Sequence, residues 1–299
     1  DKSINATHTE PLIKELFEKF FPADFIVEGH DQITKWFYSQ QAASVITFDT
    51  VPYKKVQMHG FTLDEKGEAM HKTKGNAIPP EEIIEKYGRD TFRFYLLWAA
   101  ASWEDIRVSW EKIQSVDRML KILWNVYKFS TTYMSLDNFH PETKYEDVEE
   151  YLRIEDKWML SKINSLIKDL VEVWDMFYFH KVTRPVYDFI VDDFSRWYIK
   201  LVRSRTWTEK DDPDKKAAYF VLCYVLKKLS RLMAPVTPYI SEHVFTNLEN
   251  GESVHLAEYP EHDESLIDSE LNEQMDITRK IVENVAFARQ KAGLKLRWP

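Results

Sequence analysis

The sequence predicts a mainly α-helical protein with an α/β N-terminal part. Two observations support this fold class: the distribution of glycine and the order of the apolar patterns. Only 7 of the 299 residues are glycine, whereas about 7% is usual, and none lies between Gly88 and Gly251. Because glycine serves turns with positive φ, its absence from this long middle stretch favours helices. Strand and helix patterns alternate before it, and helical periodicity dominates within it.

The first hundred residues predict helices and strands in alternation. Residues 10–20 form an amphipathic helix that Pro22 ends, and residues 25–27 follow as a short buried strand. Residues 28–30 are predicted as a turn, after which Asp31 caps a helix that extends to about Val45. The remaining predicted elements are a strand over 56–63, a turn over 64–67, a polar loop over 68–76 and a helix opened by Pro79 and Pro80.

From Thr91 onward the apolar residues repeat at helical spacing, which predicts the core of an antiparallel helical bundle. Two acidic stretches, 142–150 and 249–276, are predicted as solvated linkers or helix ends. The apolar stripes are Ile113, Val116, Leu120, Leu123 and Tyr127; Met159, Ile163, Leu166, Ile167 and Leu170; Phe189, Phe194, Trp197, Tyr198 and Leu201; and Phe220, Val221, Tyr224, Val225 and Leu229.

Composition excludes several classes of protein. The single cysteine, Cys223, rules out a disulfide framework and a cysteine-based zinc site, and its apolar setting predicts a buried, unreactive thiol. The net charge of −9 argues against a protein that coats nucleic acid by bulk charge. No signal peptide and no apolar run of membrane-spanning length is visible, so we expect a cytoplasmic protein without a membrane partner.

Three polar stretches are candidate ligand sites. Residues 28–32 lie where a strand meets a helix, the edge at which open α/β sheets bind ligands, although Asp31 alone could be only a cap. His59-Gly60 lies in the second strand, where a lone histidine is more often a core residue. Residues 70–76 hold two lysines, a hydroxyl and a glycine, which suit phosphate or merely a basic hairpin tip. This loop lacks the Walker A spacing.

Together these stretches resemble the C-terminal catalytic half of isoleucyl-tRNA synthetase, a class I aminoacyl-tRNA synthetase with a Rossmann-type catalytic domain. The resemblance covers almost the whole chain in order, and the block at 28–32 favours the isoleucyl over the valyl and leucyl relatives. The blocks that support it are FPADFIVEGHDQ at 21–32, WFY at 36–38, HGF at 59–61, MHKTKGN at 70–76, YGRDTFR at 87–93, VDDFSRWY at 191–198 and GLKLRWP at 293–299.

The resemblance implies a domain organisation and a reaction. Residues 1–108 would be half of a Rossmann-type catalytic domain with the signature ATP loop and a connector. Residues 109–299 would be a helical anticodon-binding domain with a C-terminal helical tail. The parent reaction joins isoleucine to ATP, accompanied by Mg²⁺, and transfers the acyl group to the isoleucine tRNA. No protein-bound zinc or other protein-held metal is expected.

The resemblance also assigns roles to residues. Glu28, Gly29, Asp31 and Gln32 match the block that holds the aminoacyl-adenylate, and His59 and Gly60 match its neighbour on the adenosine side. Gly29, Gly60 and Gly75 would let the backbone approach the ligand. The loop at 69–73 matches the family's Lys-Met-Ser-Lys-Ser signature, which stabilises the departing pyrophosphate. Within it, Lys72 matches the second, ATP-binding lysine, and Lys72 and Thr73 are the predicted catalytic residues.

The chain departs from the family pattern at several points. Ala69 stands where the family has its first signature lysine, and a lost charge contact in a transition state can cost ~2–4 kcal/mol, or ~10²–10³ in rate. His71 replaces the signature's first serine, and Ile-Thr-Lys at 33–35 replaces the usual Thr-Arg-Gly. The family's His-x-Gly-His signature, editing domain and C-terminal extension are absent. We therefore expect a fragment, a split-gene half or a paralogue that is inactive alone, with a separate N-terminal half as a candidate partner.

A basic stripe predicts contact with tRNA. Arg196, Lys200 and Arg203 recur at i, i+4 and i+7, with Trp197, Arg205 and Trp207 nearby. Cations can contact phosphates and exposed aromatics can stack on unpaired bases. The predicted tRNA-binding residues are Arg196, Lys200, Arg203 and Trp207, and a second basic spot is predicted at Lys227, Lys228 and Arg231. The alternative is a solvated helix face with Trp197 buried.

Two functions stay open at this point. One is a portion of an isoleucine–tRNA ligase that holds the adenylate edge, the ATP loop and contacts to the anticodon stem. The other is a non-catalytic, synthetase-like module that binds tRNA or a partner protein, which Ala69 and the absent half favour.

Overall fold

The computed structural model describes residues 6–208 and 212–294, which are mostly helical. Within these residues the strands are short: β1 (Ile26–Gly29), β2 (Val56–His59), β3 (Thr62–Leu63) and β4 (Ile106–Arg107). The α-helices are α1 (Ala6–Phe20), α2 (Tyr38–Phe48), α3 (Pro80–Tyr87), α4 (Arg89–Trp98), α5 (Trp110–Leu136), α6 (Ile154–Asp175), α7 (Phe179–Asp188), α8 (Lys200–Thr206), α9 (Pro213–Met233), α10 (Pro238–Leu248) and α11 (Ser269–Lys291). None of the described helices is long and apolar enough to cross a membrane.

The N-terminal part contains two separate parallel pairs of strands. β1 pairs with β2, and the register places Gly29 opposite His59. β3 pairs with β4, with Thr62 opposite Ile106. The predicted single strand over 56–63 is therefore wrong, because the chain changes from one sheet to the other at Gly60. A side chain there would meet the backbone of Glu104 and Asp105 at 2.5 Å, so Gly60 permits this close crossing.

The segment after β1 also differs from the prediction. The strand continues through Gly29, where a turn over 28–30 was predicted. A single turn of 3-10 helix (His30–Gln32) and a π-helical turn (Ile33–Phe37) then lead into α2. Gly29 occupies the N-cap position and no side chain caps this segment, so the prediction of Asp31 as the cap is wrong. The Asp31 carboxylate instead accepts hydrogen bonds from the side chains of Gln32 and Lys35.

The helical part holds a large apolar core, as the periodicity predicts. The predicted stripe of α5 is buried along its length, from Ile113 to Tyr127. On α6, Met159, Ile163 and Ile167 are fully buried. These helices pack against α9, which also contacts α8 and α10. The largest fully buried side chains of this core are Trp158, Tyr95, Tyr198, Tyr219, Phe94 and Phe194.

One continuous helical rod runs from α7 to α8. Its middle, Phe189–Ile199, is π-helical, with wider turns than an α-helix. Pro185 lies one turn before this stretch, and because proline has no N–H it cannot supply a helical hydrogen bond there. The rod buries Phe189, Phe194 and Tyr198 and presents charged residues on its outer face.

A buried ion cluster joins the ends of three helices. Arg205, at the end of α8, is 5% exposed and donates to both carboxylate oxygens of Asp156 on α6, at 3.0 and 2.8 Å. The hydroxyl of Tyr198 donates to the same carboxylate at 2.7 Å. Arg205 and Arg153 both bind Asp214 at the start of α9. Arg205 is therefore structural and does not belong to a solvent-facing basic stripe.

The acidic stretch over 249–276 is docked against the helices, so its prediction as a solvated linker is wrong. Lys168 of α6 donates to Glu264 at 2.7 Å, and Lys228 of α9 donates to the backbone of Glu261. Arg231 pairs with Glu249. The stretch over 142–150 is also ordered, because Val148 is buried between two 3-10 turns. Unlike charges thus hold the 249–276 stretch to the helical part.

Contacts at Asp90 and at Phe25 are among those that join the N-terminal part to the helical part. Asp90, at the start of α4, accepts from the backbone N–H groups of Tyr239 and Ile240 at 3.3 and 2.7 Å. It therefore caps α10 from 150 residues away in the chain. Phe25, directly before β1, stacks on Phe177 with ring centroids 4.2 Å apart. The start of β1 is consequently anchored on the loop between α6 and α7.

Candidate functional site

The carboxyl ends of β1 and β2 bring the first two predicted stretches together. Gly29 and His59 are direct partners in the parallel register. A Cβ atom on Gly29 would lie 2.8 Å from Oδ1 of Asp31 and 3.5 Å from Cε1 of His59. Glu28, Asp31 and His59 are all exposed at this edge. We call the group Glu28, Gly29, Asp31, Gln32, His59 and Gly60 the strand-edge site.

The polar groups of the strand-edge site are already oriented by local hydrogen bonds. Oδ2 of Asp31 accepts from Nε2 of Gln32 at 3.0 Å and from Nζ of Lys35 at 3.3 Å. Nδ1 of His59 lies 2.7 Å from the carbonyl oxygen of Gly60. That carbonyl can only accept, so Nδ1 carries the proton, and Nε2 of a neutral ring is left as an acceptor. His59 is therefore an exposed polar residue, and its alternative as a packed core histidine is wrong.

The lysine-containing loop projects from β3. Ala69 pairs with Leu63 in an antiparallel bridge, and the tip is a 3-10 turn over Lys72–Lys74. The backbone N–H of Lys74 donates to the carbonyl of His71 at 3.0 Å, which closes this turn. Thr73 and Lys74 are exposed, and Gly75 leaves the turn at a φ of 68°. The loop therefore offers its tip to solvent, as a phosphate-contacting loop requires.

Two residues without an assigned role hold the base of this loop. Asp64 is 9% exposed, and its Oδ1 accepts from the backbone N–H groups of Lys66 and Glu68 at 2.9 and 2.8 Å. Its Oδ2 accepts from Nδ2 of Asn76 at 2.8 Å. Donation by Asn76 is the main cause that lowers the pKa of Asp64 below its ordinary value, and the backbone donors add to it. The sequence signal was an Asp at the end of a strand and an Asn directly after Gly75.

The predicted tRNA-binding residues lie on a different part of the molecule, along the π-helical stretch and α8. Arg196, Lys200 and Arg203 are exposed, and Trp207 is 58% exposed. Arg196 is paired with Asp192 at 2.7 Å. The guanidinium of Arg203 lies 5.7 Å from the ring centroids of both Phe129 and Trp207. A planar cation and an exposed indole are therefore adjacent on this surface.

The second predicted basic spot is not a free surface. Lys227 donates to the carbonyl of Pro141 at 2.7 Å. Lys228 and Arg231 bind the docked acidic stretch, through the backbone of Glu261 and the carboxylate of Glu249. The prediction of phosphate contacts at these residues is wrong, because their donors hold the fold together. Trp197 is half-buried and donates to Sδ of Met275 at 3.3 Å.

Cysteine and metal chemistry find little support in the described part of the chain. Cys223 is buried, and burial raises the pKa of its thiol to about 11. Over residues 6–208 and 212–294, no three His, Cys, Asp or Glu side chains are grouped so as to hold a metal ion.

Comparison with known proteins gives two family matches along the chain. Residues 3–109 match the family model of class I tRNA synthetases for I, L, M and V. Residues 156–299 match the anticodon-binding domain of tRNA ligase. The isoleucine–tRNA ligases of Pyrococcus furiosus and Thermococcus kodakarensis are 58% and 57% identical, each over 97% of this chain. That of Methanothermobacter marburgensis is 50% identical over the same share.

The chain corresponds to a part of isoleucyl-tRNA synthetase. It spans 27% of the length of the Pyrococcus and Thermococcus ligases and 28% of the Methanothermobacter ligase. The roles that the resemblance assigns to the strand-edge site and to the lysine loop stay predictions.

Solved structures of related synthetases share the fold. LeuRS of Agrobacterium radiobacter K84, solved in a ternary complex with tRNA and LeuAMS, gives a TM-score of 0.67 at 20% identity, over 85% of this chain and 30% of that one. Methionyl-tRNA synthetase of Mycobacterium tuberculosis, solved with methionyl-adenylate, gives 0.62 at 21% identity, over 81% of this chain and 46% of that one. The class I synthetase fold therefore extends across the α/β and helical parts.

Proposed function

We propose that this chain supplies one side of the adenylate site and the tRNA-facing helices of an enzyme that attaches isoleucine to its tRNA. Residues 1–108 form the proposed half of a Rossmann-type catalytic domain, and residues 109–299 the antiparallel, anticodon-binding bundle. The observation that carries the proposal is the convergence of Gly29, Asp31 and His59 at one strand edge, in a chain that matches isoleucine–tRNA ligases over 97% of its length. We propose that this reaction takes place in the cytoplasm.

The proposed chemistry at the strand-edge site is recognition of the adenylate. An exposed carboxylate at Asp31 and an amide at Gln32 can bind ribose hydroxyls or the substrate ammonium group. Gly29 is itself buried, and the absence of a side chain there leaves room for the Asp31 carboxylate at this edge. Nε2 of His59, as an acceptor, can receive a hydrogen bond from the adenosine side of the ligand. None of these side chains needs to act as a nucleophile.

The proposed role of the lysine loop is charge stabilisation. ATP enters with Mg²⁺ as part of the substrate, and negative charge grows on the pyrophosphate as it leaves. Lysines positioned on a projecting turn can stabilise that charge, since this chemistry depends mainly on position and electrostatics. Lys72 and Thr73 are the proposed contacts, and Ala69 removes one of the two positive charges found in the family signature.

The test of this function is isoleucine-dependent ATP–pyrophosphate exchange. We would graft this chain in place of the 294 residues that it matches in the Pyrococcus furiosus ligase and assay the graft beside the isolated chain. We expect exchange by the graft with isoleucine and none by the isolated chain, because the other side of the site is not in it. A folded graft without exchange would contradict the proposal, and so would exchange by the isolated chain.

The proposed tRNA contact is tested on the isolated chain. Electrophoretic mobility shifts with isoleucine tRNA at two salt concentrations should show binding that weakens as salt rises, because phosphate contacts release counterions. Trp207→Ala should weaken binding at both concentrations with little change in salt dependence, since stacking is not ionic. Absence of salt-dependent binding would contradict the contact.

A second candidate function is favoured by one observation, the alanine at position 69. A non-catalytic module that binds tRNA or a partner synthetase would retain the helical part and lose the signature lysine. A graft that binds tRNA normally but does not support exchange, even after Ala69→Lys, would favour this module over the enzyme.

A further inference from the structure

The base of the lysine loop is joined by a compact set of hydrogen bonds that uses every polar atom of one asparagine side chain. Nδ2 of Asn76 donates to Oδ2 of Asp64 at 2.8 Å and to the carbonyl of Ala69 at 3.2 Å. Oδ1 of Asn76 accepts from the backbone N–H of His71 at 3.0 Å. An amide has two donor hydrogens and one acceptor oxygen, so only this orientation of Asn76 satisfies all three partners.

The Asp64 carboxylate ties that asparagine to the preceding hairpin. Its other oxygen accepts from the backbone of Lys66 and Glu68, so Asp64 holds the hairpin turn and Asn76 together. The hairpin is in turn held to β4, because Nε of Arg107 donates to the carbonyl of Glu65 at 2.6 Å. These bonds connect residues 64–71 and 76 to the sheet through a rigid path.

The residues between these anchored points are left to project. Residues 72–75 form the tip, in which residues 73–75 are exposed, and a Cβ atom on Gly75 would meet no atom within 4 Å. The turn therefore lies between two backbone segments, residues 69–71 and residue 76, which the side chain of Asn76 joins to each other. The positions of these two segments determine where the backbone of Lys72 and Thr73 lies.

We propose that Asp64 and Asn76 form a clasp that positions the lysine turn for the ATP step. The clasp rests on the proposed function, and both members are positioning residues: neither is offered as a contact to ATP. The amides that surround Asp64 keep its pKa below the ordinary range, so the carboxylate acceptor is present throughout the neutral pH range.

The clasp can be tested by reversing its polarity. Asn76→Asp places two carboxylates face to face, and Asp64→Asn places two amide donors face to face, so each single variant loses the bond. In the double variant, an amide at 64 can donate to a carboxylate at 76, and the backbone N–H groups of Lys66, Glu68 and His71 keep their acceptors. Only the donation to the carbonyl of Ala69 is lost.

The activity readout is isoleucine-dependent ATP–pyrophosphate exchange by the graft described above. We expect each single variant to lower kcat about 10–100-fold, as for a buried hydrogen bond to a charged group, with KM for isoleucine within about threefold. The double variant should recover at least tenfold over the weaker single variant. Singles that retain full activity, or a double variant no better than the singles while folded, would overturn the clasp.

A second readout separates positioning from general structural damage and uses the isolated chain. Hydrogen–deuterium exchange should show the His71 amide protected in the parent chain and in the double variant. It should be exposed in Asn76→Asp, because repulsion from the Asp64 carboxylate moves the carboxylate at 76 away from the His71 N–H. Amides of α5 and α9 should be unchanged in all four proteins. Equal protection of His71 in Asn76→Asp and the parent would overturn the proposal.

These results also distinguish the failure of the clasp from that of the proposed function. If the unsubstituted graft lacks exchange, the proposed function fails and takes the catalytic role of the clasp with it. If the graft is active and the single variants are equally active, the clasp fails and the function stands.

Discussion

The α/β part and the helical part of this molecule differ in how far their apolar side chains are buried. Among residues 13–61, Phe37 is the one large apolar side chain that is buried, whereas Val27, Ile46 and Phe61 are exposed. The helical part buries nearly all of its apolar stripes, and Trp158, Phe194 and Tyr198 are fully enclosed. The helical part therefore carries most of the folding free energy, and residues 13–61 present apolar and polar edges outward. The rest of the α/β part contributes Ile83, Phe94 and Tyr95 to the helical core.

Most of the stability and the candidate ligand sites therefore lie in different parts of the molecule. Burial of apolar area is the dominant favourable term in folding, so the helical core forms a stable base. The strand-edge site and the lysine loop belong to the region with less burial, where local opening is expected to cost less free energy. The contacts at Asp90 and at Phe25–Phe177 are among those that connect the weakly buried region to that base.

The largest expected effect comes from the buried ion cluster of the helical part. Asp156→Ala leaves the guanidinium of Arg205 and the hydroxyl of Tyr198 without their shared acceptor inside the core. Removal of one partner of a buried pair costs about 3–5 kcal/mol, and chemical denaturation followed by far-UV circular dichroism measures it. The matched control is Asp192→Ala, which removes an exposed pair with Arg196 and should cost less than about 1 kcal/mol. Equal costs would contradict the comparison.

A matched pair of isoleucines tests the difference in burial directly. Ile163 is 0% exposed on α6, and Ile46 is 85% exposed on α2. Ile163→Ala should reduce the free energy of unfolding by about 2–5 kcal/mol, since it leaves a cavity, and Ile46→Ala by no more than about 0.5 kcal/mol. Similar losses from both variants would show that the α/β part contributes burial that its exposure does not reveal.

The crossing between the two small sheets is tested at Gly60. Gly60→Ala drives a methyl group into the backbone at Glu104 and Asp105, and overpacking of this kind costs about 1–3 kcal/mol. The amide of Phe61, which donates to Asp105 at 2.7 Å, should lose its protection from hydrogen exchange. In the control Gly29→Ala, the nearest atom is the end of the Asp31 side chain, which can move aside. Retained protection in Gly60→Ala would disprove the close crossing.

The smallest expected effect is at the junction through Asp90. Burial raises the pKa of Asp90 above its ordinary value, in part offset by the amides of Ile240 and Tyr239. A raised pKa in the folded state means that this group contributes stability below its ordinary pKa and loses it as pH rises through the raised value. Asp90→Asn still caps α10, so the change at pH 7 should stay below about 1 kcal/mol.

The free energy of unfolding of the parent and of Asp90→Asn, measured as a function of pH, tests this prediction. The difference in unfolding free energy, parent minus Asp90→Asn, should fall as pH rises from the ordinary carboxyl pKa upward, and should then stay constant to pH 7. A difference that increases over the same window would contradict the raised pKa and the burial that causes it.

Sequence reasoning succeeded where a single periodic signal decides the structure. The stripes from Ile113 to Tyr127 and from Met159 to Ile167 predicted buried helix faces, and both are buried. The family resemblance, and not local spacing, placed residues 59–60 beside the block at 28–32, and the parallel pairing of β1 with β2 brings the two together. The helical stripes required only local spacing.

Most of the errors involve contacts between residues far apart in the chain, whereas the wrong cap at Asp31 involves only its neighbours Gln32 and Lys35. The break of the strand at Gly60 depends on the backbone at Glu104, and the role of Arg205 depends on Asp156. The acidic stretch is docked because Lys168 on α6 and Lys228 on α9 donate hydrogen bonds to it. Asp64 and Asn76 are 12 residues apart, and no periodic pattern links them. Charge in a sequence does not reveal whether its partner is solvent or another part of the fold.

The strand-edge site provides the most direct test of the account, because Asp31 has a matched control within the same region. Asp31 and Asp24 are both exposed aspartates, each paired with a lysine, at 3.3 and 2.6 Å, but only Asp31 lies beside Gly29 and His59. Isoleucine-dependent exchange by the graft should fall at least tenfold in Asp31→Ala, as for the loss of a charge-assisted contact, and stay within about twofold of the parent in Asp24→Ala. Equal rates in the two variants would contradict the placement of the adenylate at this edge.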